Sequence, residues 1–168
     1  ISIPATDMEH YAEHPDVIFV CVKGYSLQET IPFIKRIARK NTIVIPVLNI
    51  YGTGGKMQKE LPDLLVTDGC IYVSANIKEP GKLLQHGQIL HIVFGVRDKA
   101  EFRPELKEIQ KDLCDSHIDG TLSENIRREA LEKFSYVSPI GAAGLYYHAT
   151  AADFQKEGEA RELFKTMI

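Results

Sequence analysis

The sequence predicts an α/β fold: a parallel sheet built on a βαβ unit, followed by a hairpin and then by the start of an all-helical domain. Three observations carry this. Two β-branched, apolar runs at 17–22 and 42–48 bracket an amphipathic stretch, and strand, crossover helix and strand within about thirty residues make a βαβ unit, almost always right-handed. A turn signal at Glu79, Pro80 and Gly81 precedes two further strand-like stretches. Beyond about residue 121 the alternation stops and helical patterning runs on, with interruptions, to Ile168. The shift sets a boundary between a unit at 1–121 and a helical one at 122–168.

The run at 17–22 is wholly apolar, the mark of a strand buried on both faces of a parallel sheet. Ser26 is placed to cap a helix starting at Leu27, with Ile31, Ile34 and Ile37 at helical spacing. Lys35, Arg36, Arg39 and Lys40 crowd its last turns before Asn41 ends it, where positive charge complements the helix dipole. Residues 42–48 form the second strand, with Pro46 near its end or on an edge, since proline cannot donate to the ladder. A glycine-dense loop at 49–55 and a short helix at 56–61 come next. Residues 64–73 read as a third strand, and 82–85 with 88–94 as a hairpin turning at His86 and Gly87. Residues 101–116 read as an amphipathic helix with Phe102, Leu106, Ile109 and Leu113 on one face. Asp119 and Gly120 break the pattern before helices resume from Ser123.

The chain has 168 residues, enough for one domain, or one and a part, with a core that needs no staples. Its 20 basic and 23 acidic side chains leave a net charge of −3, which favours neither nucleic acid nor an anionic membrane as partner. The longest apolar run, 17–22, is far too short to cross a bilayer, and no secretory leader pattern opens the chain. Three widely spaced cysteines, Cys21, Cys70 and Cys114, argue against a disulfide framework and for a reducing, cytoplasmic setting. The chain starts at Ile1 and reads as mid-structure, so a piece of something longer is expected.

Chemistry is sought first in the glycine-dense loop. A phosphate loop of the form GxxxxGK[ST] would need glycine at 50 and Ser or Thr at 57, where Ile50 and Met57 stand. Asn49, however, falls at the carboxyl edge of the sheet, where open α/β folds bind ligands, and its amide both donates and accepts. Lys23 follows directly on the first strand. It either reaches solvent there or holds an anion in the same crevice.

Lys133 is the most informative residue. On a helix advancing about 100° per residue, it falls inside the sector of Ile126, Ala130, Val137 and Ile140. A lysine centred on an apolar stripe snorkels, finds a partner or faces a cavity. Glu129, one turn earlier, offers an ion pair, and a cleft offers the alternative: desolvation lowers a lysine's pKa and makes it a competent general acid. The small-residue segment 139–144 suits either close helix packing or a cleft wall. The six histidines show no ligand spacing for a metal, and no GxSxG context supports a serine nucleophile.

Taken in order, four stretches resemble ketopantoate reductase. They are Asp16-Val-Ile-Phe-Val-Cys-Val-Lys23; Ile45-Pro-Val-Leu-Asn49 with Gly52; Lys82-Leu-Leu-Gln-His-Gly87 leading to Phe94-Gly95; and Asn125-Ile-Arg-Arg-Glu-Ala-Leu-Glu-Lys133. The resemblance implies part of a Rossmann-type NADP(H)-binding domain over 1–121 and the first helices of a substrate domain over 122–168. It implies an enzyme of pantothenate biosynthesis that reduces a small 2-oxo acid with NADPH. Lys133 would be the proton donor and contact substrate, Asn49 would touch cofactor and substrate, and Lys23 and Ala75 would lie along the cofactor. No metal is implied.

The chain departs from the family at Ile50, where glycine is usual, and at Val137 and Gly141, where substrate-holding asparagines are usual. The implied substrate is therefore a 2-oxo acid rather than ketopantoate in particular. The family's first strand and Gly-rich dinucleotide turn do not occur in these residues, so the 168 residues alone are expected to be inactive. They are also expected to self-associate through an exposed sheet edge or helix faces. A non-catalytic nucleotide-binding or dimerising module and another β-hydroxyacid dehydrogenase-like enzyme are the alternatives.

Overall fold

A computed structural model describes residues 4–168. Its first sheet is parallel, in the order β1 (Val17–Val20), β2 (Ile43–Pro46), β3 (Leu65–Val66), with Val17 opposite Ile43 and Ile43 opposite Leu65. The crossovers are α1 (Leu27–Ile37) and α2 (Thr53–Glu60). The second sheet has the order β4 (Asp68–Glu79), β5 (Lys82–Gly95), β6 (Asp119–Leu122), the first pair antiparallel and the second parallel. Between β5 and β6 runs α3 (Glu105–Asp115); α4 (Ile126–Tyr147) and α5 (Glu159–Met167) complete the chain.

Alternation along β2 places a core on each face of the first sheet. Ile43, Ile45 and Val47 pack with Leu65, Ile92, Phe94 and the α3 residues Leu106, Ile109 and Leu113. Val44 and Leu48 point the other way, onto Ile31 and Ile34 of α1 and Met57 of α2. Both faces of β2 are therefore dry, as a doubly covered parallel sheet requires. Gly69 joins the two sheets: a Cβ there would lie 2.8 Å from the Pro46 carbonyl oxygen, so only glycine lets β4 pass so close to the end of β2.

Several expectations need correction. The first strand is not buried on both faces; β1 is an edge of the described sheet and Phe19 is 38% exposed. Ser26 makes no side-chain cap, and α1 ends at Ile37, so Arg39 and Lys40 lie beyond it. The Arg39 N–H donates instead to Thr42 Oγ1 at 2.9 Å, and that hydroxyl donates to the Pro15 carbonyl at 2.8 Å, building the turn into β2. Thr53, Gly54 and Gly55 are helical, not loop, with Gly52 turning at φ 75° to open α2.

The expected strand at 64–73 is two strands. The Thr67 N–H still donates to Val44 O at 3.0 Å, and only after it does the chain turn away to pair with β5. The hairpin turns at Pro80 and Gly81 (φ 78°), and His86 and Gly87 fall inside β5. Gly87 does bend the chain, at φ 75°, but into a bulge: Val73 faces Leu90 and Ala75 faces Gln85, so residues 86–89 stand opposite Ser74 alone.

Phe102 is 43% exposed and precedes α3, which Pro104 opens, a position where proline's missing N–H costs nothing. Asp119 and Gly120 are not a break but the start of β6. Glycine fits there because a Cβ would come within 2.8 Å of Leu113 Cβ on α3. Helix α4 continues through Pro139, and among segment 139–144 a Cβ at Gly144 would meet the Ala149 carbonyl at 3.1 Å while one at Gly141 would meet nothing within 4 Å. Packing thus explains Gly144, where Ala143 joins Phe154 and Phe164 in a helical cluster. Among the described residues no helix is long and apolar enough to cross a membrane, and Cys21, Cys70 and Cys114 are all free thiols.

Candidate functional site

The start of α4 is fixed by its own side chains. Asn125 Oδ1 accepts from the Arg128 N–H at 3.3 Å, and Ser123 Oγ accepts from the Asn125 N–H at 3.0 Å. Ser123 in turn donates to Glu129 Oε1 at 2.5 Å. Glu129 is therefore spent on the cap, and among the described residues no carboxylate forms an ion pair with Lys133. The snorkelling lysine with a Glu129 partner is not what the fold builds.

Lys133 is instead 8% exposed and reaches across to the sheet. Its ammonium donates to Asn49 Oδ1 at 2.8 Å and to the backbone carbonyl of Ile71, and lies 4.7 Å from the centre of the Tyr72 ring. Cation–π attraction supplements the two hydrogen bonds, and one of the three N–H donors remains uncommitted among the described residues. Burial pushes the Lys133 pKa down, and the nearby Cys70 thiol, whose ionised form would favour the ammonium, opposes that only in part. Burial also pushes the Cys70 thiol and the Tyr72 phenol up, which keeps both neutral beneath the amine.

Asn49 is placed by the end of β2, three residues after Pro46, and it is exposed. Lys23 is exposed at the corresponding end of β1. The two rim loops touch, because Gly24 lies against the Ile50 side chain so closely that a Cβ would collide with it. The parallel strands thus present Lys23 and Asn49 on one edge, a placement that suits a phosphate-bearing nucleotide. Ala75 is not brought to this point. It is exposed on β4, four residues beyond Ile71 or roughly 13 Å of strand.

A groove of about 800 Å³ opens beside the ammonium, between α4 and the β4–β5 hairpin. Asn49, Tyr72, His86, Lys133, Tyr136 and Val137 are among its walls. The hairpin side is formed by the bulge at 86–89, which is held by a 2.7 Å bond between His86 Nε2 and Asn76 Oδ1. Sequence reasoning did not find Tyr72, the Ile71 carbonyl or the bulge. Tyr72 sits where strand alternation would put a surface aromatic, and a backbone carbonyl carries no signal in residue identity. Chemically, the arrangement offers a desolvated proton donor beside an amide that bonds to it, at the mouth of a ligand-sized cavity.

The family model described as "Ketopantoate reductase PanE/ApbA" matches residues 2–99. A curated 2-dehydropantoate 2-reductase of Aquifex aeolicus (strain VF5) is 19% identical over 163 residues, 97% of this chain and 53% of that one. Among solved structures, the 2-dehydropantoate 2-reductase of Porphyromonas gingivalis W83 superposes with a TM-score of 0.80 at 24% identity, over 92% of this chain and 54% of that one. A D-mandelate dehydrogenase solved with NADH and anilino(oxo)acetate gives 0.81 at 16% identity, over 95% and 51%. The chain thus spans about half the length of the relatives it matches.

Proposed function

Because the chain belongs to the ketopantoate reductase family, we propose that the protein carrying it reduces a 2-oxo acid to the 2-hydroxy acid, with Lys133 as general acid. The observation that carries this reading is the buried Lys133 ammonium, 2.8 Å from Asn49 Oδ1 at the groove. A charged donor kept from water and held by neutral acceptors meets a developing alkoxide with its proton already in place.

A nicotinamide cofactor, when bound, supplies the hydride for the carbonyl carbon. Lys23 and Asn49, with Ala75 further along β4, are the cofactor contacts we assign, and the touching loops at Gly24 and Ile50 suit that role. NADP(H) is the form assigned. NADH, named for the D-mandelate dehydrogenase, is the alternative that the same experiment separates. Lys133 bonds to the substrate's keto oxygen and gives up its proton there. Asn49 fixes the amine's direction and keeps a free N–H₂ for the bound molecules. Residues 1–121 serve as the nucleotide-binding part and 122–168 as the first helices of the substrate domain.

The test uses the longest natural protein that carries these residues. NADPH and NADH oxidation is followed with a panel of 2-oxo acids, for the unaltered protein and for Lys133→Ala. The expected result is turnover with NADPH and a loss in kcat of about 10²–10⁴-fold in the variant. No turnover with any 2-oxo acid, or an unchanged rate in Lys133→Ala, overturns the reading.

A further inference from the structure

Resting on that reading for its catalytic consequence, we propose that Tyr72, backed by His91, is a positioning residue that holds the Lys133 ammonium at the rim of the sheet. Tyr72, His91 and Asp119 stand opposite one another on β4, β5 and β6, so their side chains form a row on one face. The Tyr72 and His91 rings stack, with centroids 5.4 Å apart and planes 20° from parallel. His91 Nε2 lies 3.1 Å from the Thr121 hydroxyl of β6, and its Nδ1 lies 3.9 Å from Asp119 Oδ2. The Lys133 ammonium meets this row at its β4 end, 4.7 Å from the centre of the Tyr72 ring.

Two acceptors, Asn49 Oδ1 and the Ile71 carbonyl, hold the end of a flexible four-carbon stem only while both bonds are made. The ring adds a broad attractive face that demands no exact angle, and it favours the ammonium over the free amine. No carboxylate takes that role, since Glu129 is engaged by Ser123 at 2.5 Å and Glu132 by Arg128 at 2.7 Å. Cys70, two residues before Tyr72 on the same face of β4, is kept neutral by burial. Tyr72 is itself 37% exposed, and a side chain so placed changes rotamer unless a neighbour fills the space beside it. The His91 ring, tethered to Thr121, fills that space. The aromatic face of Tyr72 therefore does the holding, and its hydroxyl is not needed for it.

The experiment compares Tyr72→Leu with Tyr72→Phe in the longest natural protein carrying this chain, its lysines isotopically labelled at Cε. NMR follows the titration of the Lys133 amine, whose signal is the one lost in Lys133→Met. In parallel, kcat is measured against pH with the 2-oxo acid and reduced nicotinamide that the protein uses. The amine titration and the high-pH limb of kcat are expected about 0.5–1.5 pH units lower in Tyr72→Leu than in Tyr72→Phe, with kcat about 2–30-fold lower. His91→Leu, with Tyr72 intact, is expected to move both in the same direction by less, and it carries the test where Tyr72→Leu does not fold. Equal titrations in Tyr72→Leu and Tyr72→Phe, or an unmoved one in His91→Leu, overturn the proposal. If the titrations separate as expected but no 2-oxo acid is reduced, the hold of the ring on the amine is supported and the reductase reading alone falls.

Discussion

The Lys133 ammonium and the Asn49 carboxamide oxygen, 84 positions apart in the chain, meet at 2.8 Å. Each comes from an element with its own reason to be where it is. Asn49 follows the last residues of a strand covered on both faces, and Lys133 sits on a helix whose first turn is locked by Ser123, Asn125 and Glu129. Their contact ties α4 to the rim of the parallel sheet.

Replacing Asn49 by Ala removes an acceptor from a buried cation, which costs about 1–3 kcal/mol when a buried donor loses its partner. Part of that cost is expected as a further fall in the Lys133 pKa. Asn49→Asp should do the reverse, because a carboxylate at that distance favours the ammonium. The pH dependence of kcat for the two variants checks this: the high-pH limb should move down for Asn49→Ala and up for Asn49→Asp.

The unaltered protein carries a related signature. In its proposed role as general acid Lys133 works while protonated, so reduction should hold steady at low pH and fall as pH rises through the Lys133 pKa, which burial lowers below the ordinary lysine value. The midpoint should therefore lie below that of a free lysine. Stability follows the opposite course: between the lowered folded pKa and the unfolded one, the unfolded chain binds the proton more, so stability from this group rises with pH there. Comparing denaturation midpoints of the unaltered protein and Lys133→Met across alkaline pH isolates that contribution.

Gly54 is expected to tolerate no side chain. A Cβ would collide with the Thr67 carbonyl and crowd the Asp68 and Arg97 side chains, which face each other at 3.7 Å with both largely buried. The obstacle is backbone, which cannot swing aside. Gly54→Ala should destabilise by about 1–3 kcal/mol, as overpacking generally does, and urea denaturation would register it as a lower midpoint with unchanged slope.

The 168 residues taken alone should self-associate. Phe19 on β1 is 38% exposed on a described edge strand, and Leu145 and Tyr146 on α4 are 81% and 74% exposed. An edge with exposed apolar side chains pairs readily with another chain. Sedimentation velocity should show species larger than one chain, reduced by Phe19→Lys. A stable monomer at all concentrations would refute it.

Much of this was legible in the sequence because it rests on periodicity. Two continuous apolar runs flank the helical spacing of Ile31, Ile34 and Ile37, and the apolar sector of α4 contains Lys133. What was illegible depends on choices between close competitors. Pro80 with Gly81 and His86 with Gly87 both signal a turn. The first wins because it gives a tight reversal between strands long enough to reach the core, leaving the second to become a bulge. Asp119 and Gly120 read as a break because glycine weakens a strand, yet here it is the closeness of Leu113 that requires it. The short β3 was hidden because Thr67 alone separates two strands of opposite partnership. Helical spacing alone pairs Lys133 with Glu129, which Ser123 draws off; the nearness of Asn49 followed only from the family resemblance, which put both residues on the substrate.

The bulge has an evolutionary corollary. Because the ladder closes at Val73 with Leu90 and again at Ala75 with Gln85, residues 86–89 can lengthen or shorten without shifting any pairing that holds the fold. Descendants of this chain could thus resize the chamber next to the Lys133 amine by small insertions or deletions, and diversify what fits there while the scaffold stays unchanged.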